Sequence, residues 1–361
     1  MFELTNEQRK CFALPPVLNT WKKIEVKPGR YNQYHTYVYL DGQRIMKVIQ
    51  VNEDLGQEKY DEYSVDQLIS EDGTMLLPKT EKGKPQKFTV TNLERKTRIG
   101  MALFFGQGAL AIWKLTSTGE QAFYGSVQEG IEIPTFKDFE DWVDDWCRNT
   151  GEKEHAEINE FANKKITRQK YNEGDFFRYR INRSLYGYGR ILLNFDKMRK
   201  EGIDFGDMFM GKPLCVAVYH IVTENKNILP EQLIGKKMLP SHMIMDNIFY
   251  YGECEIIGNL PLVENEMDYP IHYGSYGWNC VRYQCGKTYL IKNKKALYDN
   301  FRNAGIGWNL NISLPILSEC IKQDSNEPYW TMNKSILVTE DLRNPKFKKE
   351  LFEIKKQFGI K

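Results

Sequence analysis

Apolar and polar side chains alternate in short runs over the first 134 residues, separated by turn residues, which is the period of strands with one covered face. Tyr37-Val38-Tyr39-Leu40, then Asp41-Gly42, then Ile45 to Val51 predicts a β-hairpin, because Asp-Gly favours the positive φ angles of a tight primed turn. Further strands are predicted at Lys87–Val90, Met101–Phe105, Ala109–Trp113 and Ala122–Gly125, with Gly106-Gln107-Gly108 as a second hairpin loop. Thr5 is placed to cap a short helix that ends before Pro15-Pro16.

At Thr135 the period changes. Phe136, Phe139, Trp142, Val143 and Trp146 recur at helical spacing behind a threonine cap. The other face of this helix is acidic, with Asp138, Glu140, Asp141, Asp144 and Asp145, extended by Glu129 and Glu132. A second helical stretch from Glu154 to Thr167 carries Ile158 and Phe161 and turns basic at Lys164-Lys165. Strand signals then return: Pro213–Tyr219 reads as a buried strand, and Glu253–Gly258 as the continuation of a strand opened at Ile248–Tyr251. Asp196 to Gly202 lacks β signals and reads as a helical turn. In the tail, Tyr289–Ile291 is strand-like, Ser313–Ile321 resembles a short helix, and Lys346–Phe358 places Phe347, Leu351, Ile354 and Phe358 on one helical face.

The expected class is therefore α+β and β-rich. An antiparallel sheet domain over 1–134 is followed by bridging helices over 135–168, a curved-sheet or partly open barrel domain over 169–285, and a C-terminal α/β extension over 286–361.

Two aromatic and basic runs stand out in the third region. In the first, Phe176, Arg178 and Arg180 alternate with Phe177, Tyr179 and Ile181; Asn182-Arg183-Ser184 is a connection of hairpin length. The return run is interrupted by Gly187 and Gly189, and glycine within a strand marks a bulge or a close backbone approach. Gly174-Asp175-Phe176-Phe177 and Leu185-Tyr186-Gly187-Tyr188-Gly189-Arg190 together resemble the signature of the immunity protein 26 family of bacterial polymorphic toxin systems. The similarity continues through Met210–Val216, Met245–Cys254 and Tyr269–Gly274, about the middle third of the chain. It implies an activity of binding and neutralising a cognate toxin, a nuclease, without catalysis, so no catalytic residue and no cofactor or metal is expected. On that reading Asp175 and the motif tyrosines maintain the fold.

Fifty basic and 48 acidic residues leave a net charge of +2, so no global field draws the chain towards nucleic acid or an anionic membrane, and any charged binding surface must be local. No apolar run reaches the length of a bilayer span, and the polar stretch Met1–Lys10 does not read as a secretion signal. Seven scattered cysteines suit a reducing compartment better than a disulfide framework, so a cytoplasmic protein is expected.

Three other chemistries compete. Arg178, Arg180, Arg183 and Arg190, interleaved with Phe177, Tyr179, Tyr186 and Tyr188, could neutralise phosphates and stack on bases, although aromatic residues on a half-buried sheet need no ligand. Some relatives of the resembled family are labelled phosphotriesterases, but His35, His155, His220, His242 and His272 form no His-x-His pair or His-Glu-x-x-His helix for a metal-dependent hydrolase. His272, Cys280 and Cys285, with Cys254, lack paired Cys-x-x-Cys knuckles for zinc. No Gly-x-Ser-x-Gly elbow is present, and Gly305-Ile306-Gly307-Trp308 is an isolated fragment that reads as a turn. The acidic helix suits a basic partner such as a nuclease, and a solvated helix face is its plainer explanation.

Overall fold

The computed structural model describes residues 1–28, 34–116, 119–127, 130–165, 167–203, 211–275, 279–298, 306–307, 329–330 and 340–360. Contacts divide the chain into two units, Met1–Ile166 with Asn182–Ser184, and Thr167–Ile181 with Leu185–Lys361.

The first unit is an antiparallel sheet with helices on both faces. Its strands are β1 (Lys22–Val26), β2 (His35–Asp41), β3 (Arg44–Asn52), β4 (Lys59–Ile69), β5 (Met75–Leu77), β6 (Gln86–Lys87), β7 (Arg98–Gly106), β8 (Ala109–Thr116) and β9 (Gly119–Gly125). The order is β1-β2-β3-β4-β7-β8-β9, with β5 and β6 added beside β4. The Asp41-Gly42 hairpin forms between β2 and β3, and Gly42 takes a φ of +59° there. The second expected hairpin joins β7 to β8, with Gln107 and Gly108 both at positive φ.

Four helices cover this sheet: α1 (Asn6–Cys11), α2 (Val90–Glu94), α3 (Phe136–Arg148) and α4 (Glu152–Asn163). One face packs Tyr60, Leu103, Phe105 and Ile112 against Phe12 of the α1 turn and Phe136, Phe139, Val143 and Trp146 of α3. Phe105 and Phe139 stack with ring centroids 4.8 Å apart. The opposite face packs Val38, Val48, Tyr63 and Val65 with Val90 and Leu93 of α2. Burial of apolar area at about 25 cal/mol per Å² is the main force holding both layers.

Two sequence expectations in this unit change. Lys87–Val90 is not one strand, because Thr89 accepts from the Asn92 amide and starts α2 at Val90. The helix expected over Glu154–Thr167 runs from Glu152 and stops at Asn163, with Lys164 already extended.

The second unit holds β10 (Asp175–Arg180), β11 (Tyr186–Asn194), α5 (Phe195–Lys200), β12 (Pro213–Thr223), α6 (Pro230–Leu233), β13 (His242–Met245), α7 (Asn247–Tyr250), β14 (Cys254–Asn259), β15 (Ile271–Ser275), β16 (Val281–Cys285), β17 (Thr288–Lys292), β18 (Ile306–Gly307) and α8 (Lys348–Phe358). One sheet has the order β14-β10-β11-β12-β13-β18 and stays open among the described strands; a second is the meander β15-β16-β17. The helix expected to close the chain is α8, and it lays Phe347, Leu351, Ile354 and Phe358 on Ile271, Tyr273, Val281 and Tyr283 of the meander.

Ile248–Tyr251 is helical rather than a strand. Asp246 accepts from the Phe249 and Tyr250 amides and buries Ile248 and Phe249, before Gly252 at φ +68° releases the chain into β14. Ile306-Gly307, read as part of a turn, pairs in parallel with β13. The helix expected over Ser313–Ile321 and the carboxylate of Glu129 lie outside the described residues. No described helix is long and apolar enough to cross a membrane.

Candidate functional site

The motif hairpin has the strand phase read from its sequence. Phe177 faces Gly189 and Tyr179 faces Gly187 on one side of the sheet, while Phe176 faces Arg190 and Arg178 faces Tyr188 on the other. Neither glycine has positive φ; space excludes a side chain. A Cβ on Gly187 would meet the Tyr179 ring at 2.3 Å, and one on Gly189 would meet the Phe177 ring at 2.2 Å. Each aromatic ring thus lies flat across the strand beside it. Gly189→Ala is expected to destabilise the second unit by about 1–3 kcal/mol through overpacking. Pairing it with Phe177→Leu should return part of the loss, read as the urea midpoint of each variant.

Gly174 differs in kind. Its φ is +84°, and an added Cβ would come within 2.5 Å of the Leu260 carbonyl. Its amide donates to Ile191 and its carbonyl accepts from Leu260. Asp175 is buried, accepts from the Asn172 amide at 2.5 Å and from Asn259 Nδ2 at 2.6 Å, and burial pushes its carboxyl up. These two residues tie the hairpin to the segment after β14.

Arg190 is fully buried. Its guanidinium donates to Glu266 Oε1 at 2.7 Å and to the carbonyls of Leu260 and Pro261 at 2.9 and 2.8 Å, and lies 4.2 Å from the Phe176 ring centroid. Tyr188 is also fully buried and donates to the Asn225 carbonyl. Glu266 accepts from the Val263 amide at 3.0 Å through its second oxygen. It forms part of the wall of a cavity of about 430 Å³ also lined by Lys236, Lys237, Met238 and Trp330. Both of its oxygens are already engaged.

This packing removes the hairpin's stacking platform. Phe176, Phe177, Tyr179, Tyr186 and Tyr188 are all buried, and Arg178 is paired with Glu255 at 2.7 Å. The Arg180 guanidinium lies 4.8 Å from the Tyr186 ring centroid. Arg183, grouped with the first unit, donates to the Trp146 carbonyl and covers its ring at 4.2 Å.

Among the described residues, the histidines and the cysteines Cys254, Cys280 and Cys285 do not gather at one metal site. His35 pairs with Glu25, buried His272 places Nε2 at 3.3 Å from Met243 Sδ, and Cys280 Sγ contacts Asn293. Among the described residues no three His, Cys, Asp or Glu side chains are grouped to hold a metal ion.

His242 contacts the Tyr329 hydroxyl, and burial pushes its imidazole down to about 4, with the Arg343 charge acting in the same direction. The folded unit therefore holds the neutral ring, while an unfolded histidine takes a proton near pH 6.5. This contribution is complete above about pH 6.5 and is lost as pH falls towards about 4. His242→Gln is expected to flatten that part of the stability profile, measured as the difference in urea midpoint from the parent chain across the window.

The acidic helix is α3. Thr135 and Asp138 form a reciprocal capping box, in which Asp138 accepts from the Thr135 amide and hydroxyl. Lys137 reaches Asp141 at 2.6 Å and Glu140 at 3.8 Å, Arg148 reaches Asp145 at 2.5 Å, and Gln8 donates to Asp144 at 3.0 Å. Exposed pairs of this type contribute about 0–1 kcal/mol each. Asp138, Asp141, Asp144 and Asp145 are exposed and Glu140 is half-buried, opposite the buried stripe Phe136, Phe139, Val143 and Trp146. With five carboxylates against Lys137 and Arg148, this solvent face keeps an excess of negative charge.

Sequence reasoning missed the buried charges. Glu266, the partner of Arg190, lies 76 positions downstream in a single turn of 3₁₀ helix, and Asp61 and Glu62 sit in the first half of β4. Charged letters gave no strand signal there, since the pattern that marks a strand is apolar alternation.

Residues 172–284 match the family Immunity protein 26. The matched span begins just before β10 and ends within β16, so it contains the whole motif hairpin together with Glu266. No curated protein and no solved structure gives a significant match to the chain.

Proposed function

We propose that this chain is a cytoplasmic immunity protein of a bacterial polymorphic toxin system, which binds a cognate nuclease toxin and neutralises it by steric and electrostatic blocking without catalysis. The observation that carries this reading is the match of residues 172–284 to Immunity protein 26. The motif's conformation supports it: the polar groups of Asp175, Tyr188 and Arg190 are engaged in holding strands together, which leaves recognition to outer surfaces.

Asp138, Glu140, Asp141, Asp144 and Asp145 on α3 form the proposed partner surface. A nuclease must handle a polyanion and so carries cationic surface around its active site; clustered carboxylates complement that charge and raise the association rate. The test is co-expression with the toxin encoded beside this chain, scoring survival and a purified complex. Loss of both would overturn the immunity reading. A Glu140→Lys, Asp141→Lys, Asp145→Lys variant keeps the Thr135–Asp138 cap and the apolar stripe, and is expected to slow association by about tenfold or more at low salt. An unchanged rate and salt dependence would move the interface away from α3 while leaving the immunity reading standing.

A further inference from the structure

A local cationic surface lies in the second unit, on α8. Phe352 is 64% exposed at the middle of this helix. Its four helical neighbours, at i−4, i−3, i+3 and i+4, are Lys348, Lys349, Lys355 and Lys356. Of the two glutamates of the helix, Glu350 falls on the other flank at 100° per residue, while exposed Glu353 lies beside Lys349 and Lys356, so the solvent face around Phe352 carries four lysines and one glutamate. Lys292 and Lys295, at and just after the end of β17, lie against the last turn of α8. Lys292 donates to the Gln357 carbonyl at 3.0 Å, and Gln357 donates to the Lys295 carbonyl at 2.9 Å, which fastens this lysine-rich segment to the last turn of α8.

Helix stability does not account for the arrangement. Cations near the C-terminus of a helix complement its dipole, which explains Lys355 and Lys356. Lys348 and Lys349 occupy the first turn, where the dipole disfavours a positive charge, and the exposed Phe352 gains nothing from burial. In a chain with a net charge of +2, this concentration of lysines around an exposed aromatic ring complements a ligand that is anionic and has a flat apolar face.

We infer that this face of α8 binds single-stranded nucleic acid, with the lysines on phosphates and Phe352 as a stacking surface for a base. Lysine is depleted from protein interfaces and common in phosphate contacts, which favours a nucleic acid over an acidic protein. A membrane-surface helix needs a continuous apolar stripe towards the lipid, whereas the apolar stripe of α8 is buried on the meander. An isolated exposed ring is suited to an unpaired base, whose face is free. The inference uses a different surface from the toxin reading and does not depend on it.

The test is fluorescence anisotropy of a labelled single-stranded oligothymidine with the full chain. Binding is expected to weaken steeply between about 50 and 200 mM salt, with a log–log slope of about 0.7 per phosphate neutralised. Lys348→Glu, Lys349→Glu and Lys356→Glu, all at exposed positions, should together abolish it; the matching glutamine variant should reduce both affinity and salt slope. Phe352→Ala should weaken binding by about five- to a hundred-fold with an unchanged salt slope, because it removes stacking and no charge. Unaltered urea midpoints would establish that the variants are folded. No binding by the parent chain at about 50 mM salt, full binding by the glutamine variant, or binding to anionic vesicles or polyglutamate without binding to the oligonucleotide would each overturn the proposal.

Discussion

Arg190→Met is expected to destabilise the second unit by about 3–5 kcal/mol, the usual cost of removing one partner from a buried ion pair. Arg190 is fully buried and Glu266 is 5% exposed, so after the substitution the carboxylate would keep only the Val263 amide as donor. The carbonyls of Leu260 and Pro261 would lose their donors as well. Methionine fills much of the same volume against Phe176, so cavity formation is a smaller term than uncompensated polarity. Arg190→Met with Glu266→Leu should recover a large part of the loss, since an apolar pair of similar volume carries no charge into the core. Urea midpoints of the two single variants and the double variant would check this, with the Arg190→Met loss exceeding that of Gly189→Ala. A double variant as unstable as the sum of the singles would show that the cost is packing rather than charge.

That comparison also explains what the sequence made legible. Alternation and turn chemistry revealed the β2–β3 and β7–β8 hairpins, the motif hairpin and the buried stripe of α3, because each depends on neighbours a few residues apart. The meaning of Gly187 and Gly189 was half visible: a close approach was expected, but only pairing showed that the intruding atoms are the rings of Tyr179 and Phe177. The role of Arg190 was not visible, because its partner Glu266 is distant in the chain. Lys87–Val90 and Ile248–Tyr251 carried strand-like letters, yet capping by Thr89 and by the Asp246 carbonyl turned them into helical starts. Strand β4 was missed because it carries Lys59, Asp61, Glu62 and Asp66 among its apolar residues.

Glu62→Gln is expected to destabilise the first unit by about 3–5 kcal/mol, for the same reason with the signs reversed. Glu62 is fully buried and accepts from Arg9 Nε at 2.8 Å, from Tyr60 at 2.6 Å and from Lys47. Arg9 also meets Glu3 at 3.1 Å, and Glu3 in turn meets the more exposed Lys23 at 2.7 Å, so Glu62 is the carboxylate shared by the two buried cations Arg9 and Lys47. Neutralising Glu62 leaves Lys47, itself 1% exposed, without its main counter-charge. Burial already pushes the Lys47 ammonium down, and the attraction of Glu62 opposes that shift. With the attraction removed, the folded pKa falls further while the unfolded value stays near 10.4. The folded unit then binds fewer protons than the unfolded chain over a wider range, so its stability rises with pH across that range. The variant should therefore regain stability as pH is raised from about 7 to about 10, where an unfolded lysine begins to lose its proton. Adding Lys47→Met should remove that slope and restore part of the midpoint, whereas a variant with unchanged stability and no pH dependence would show that Glu62 does not hold the charge in place.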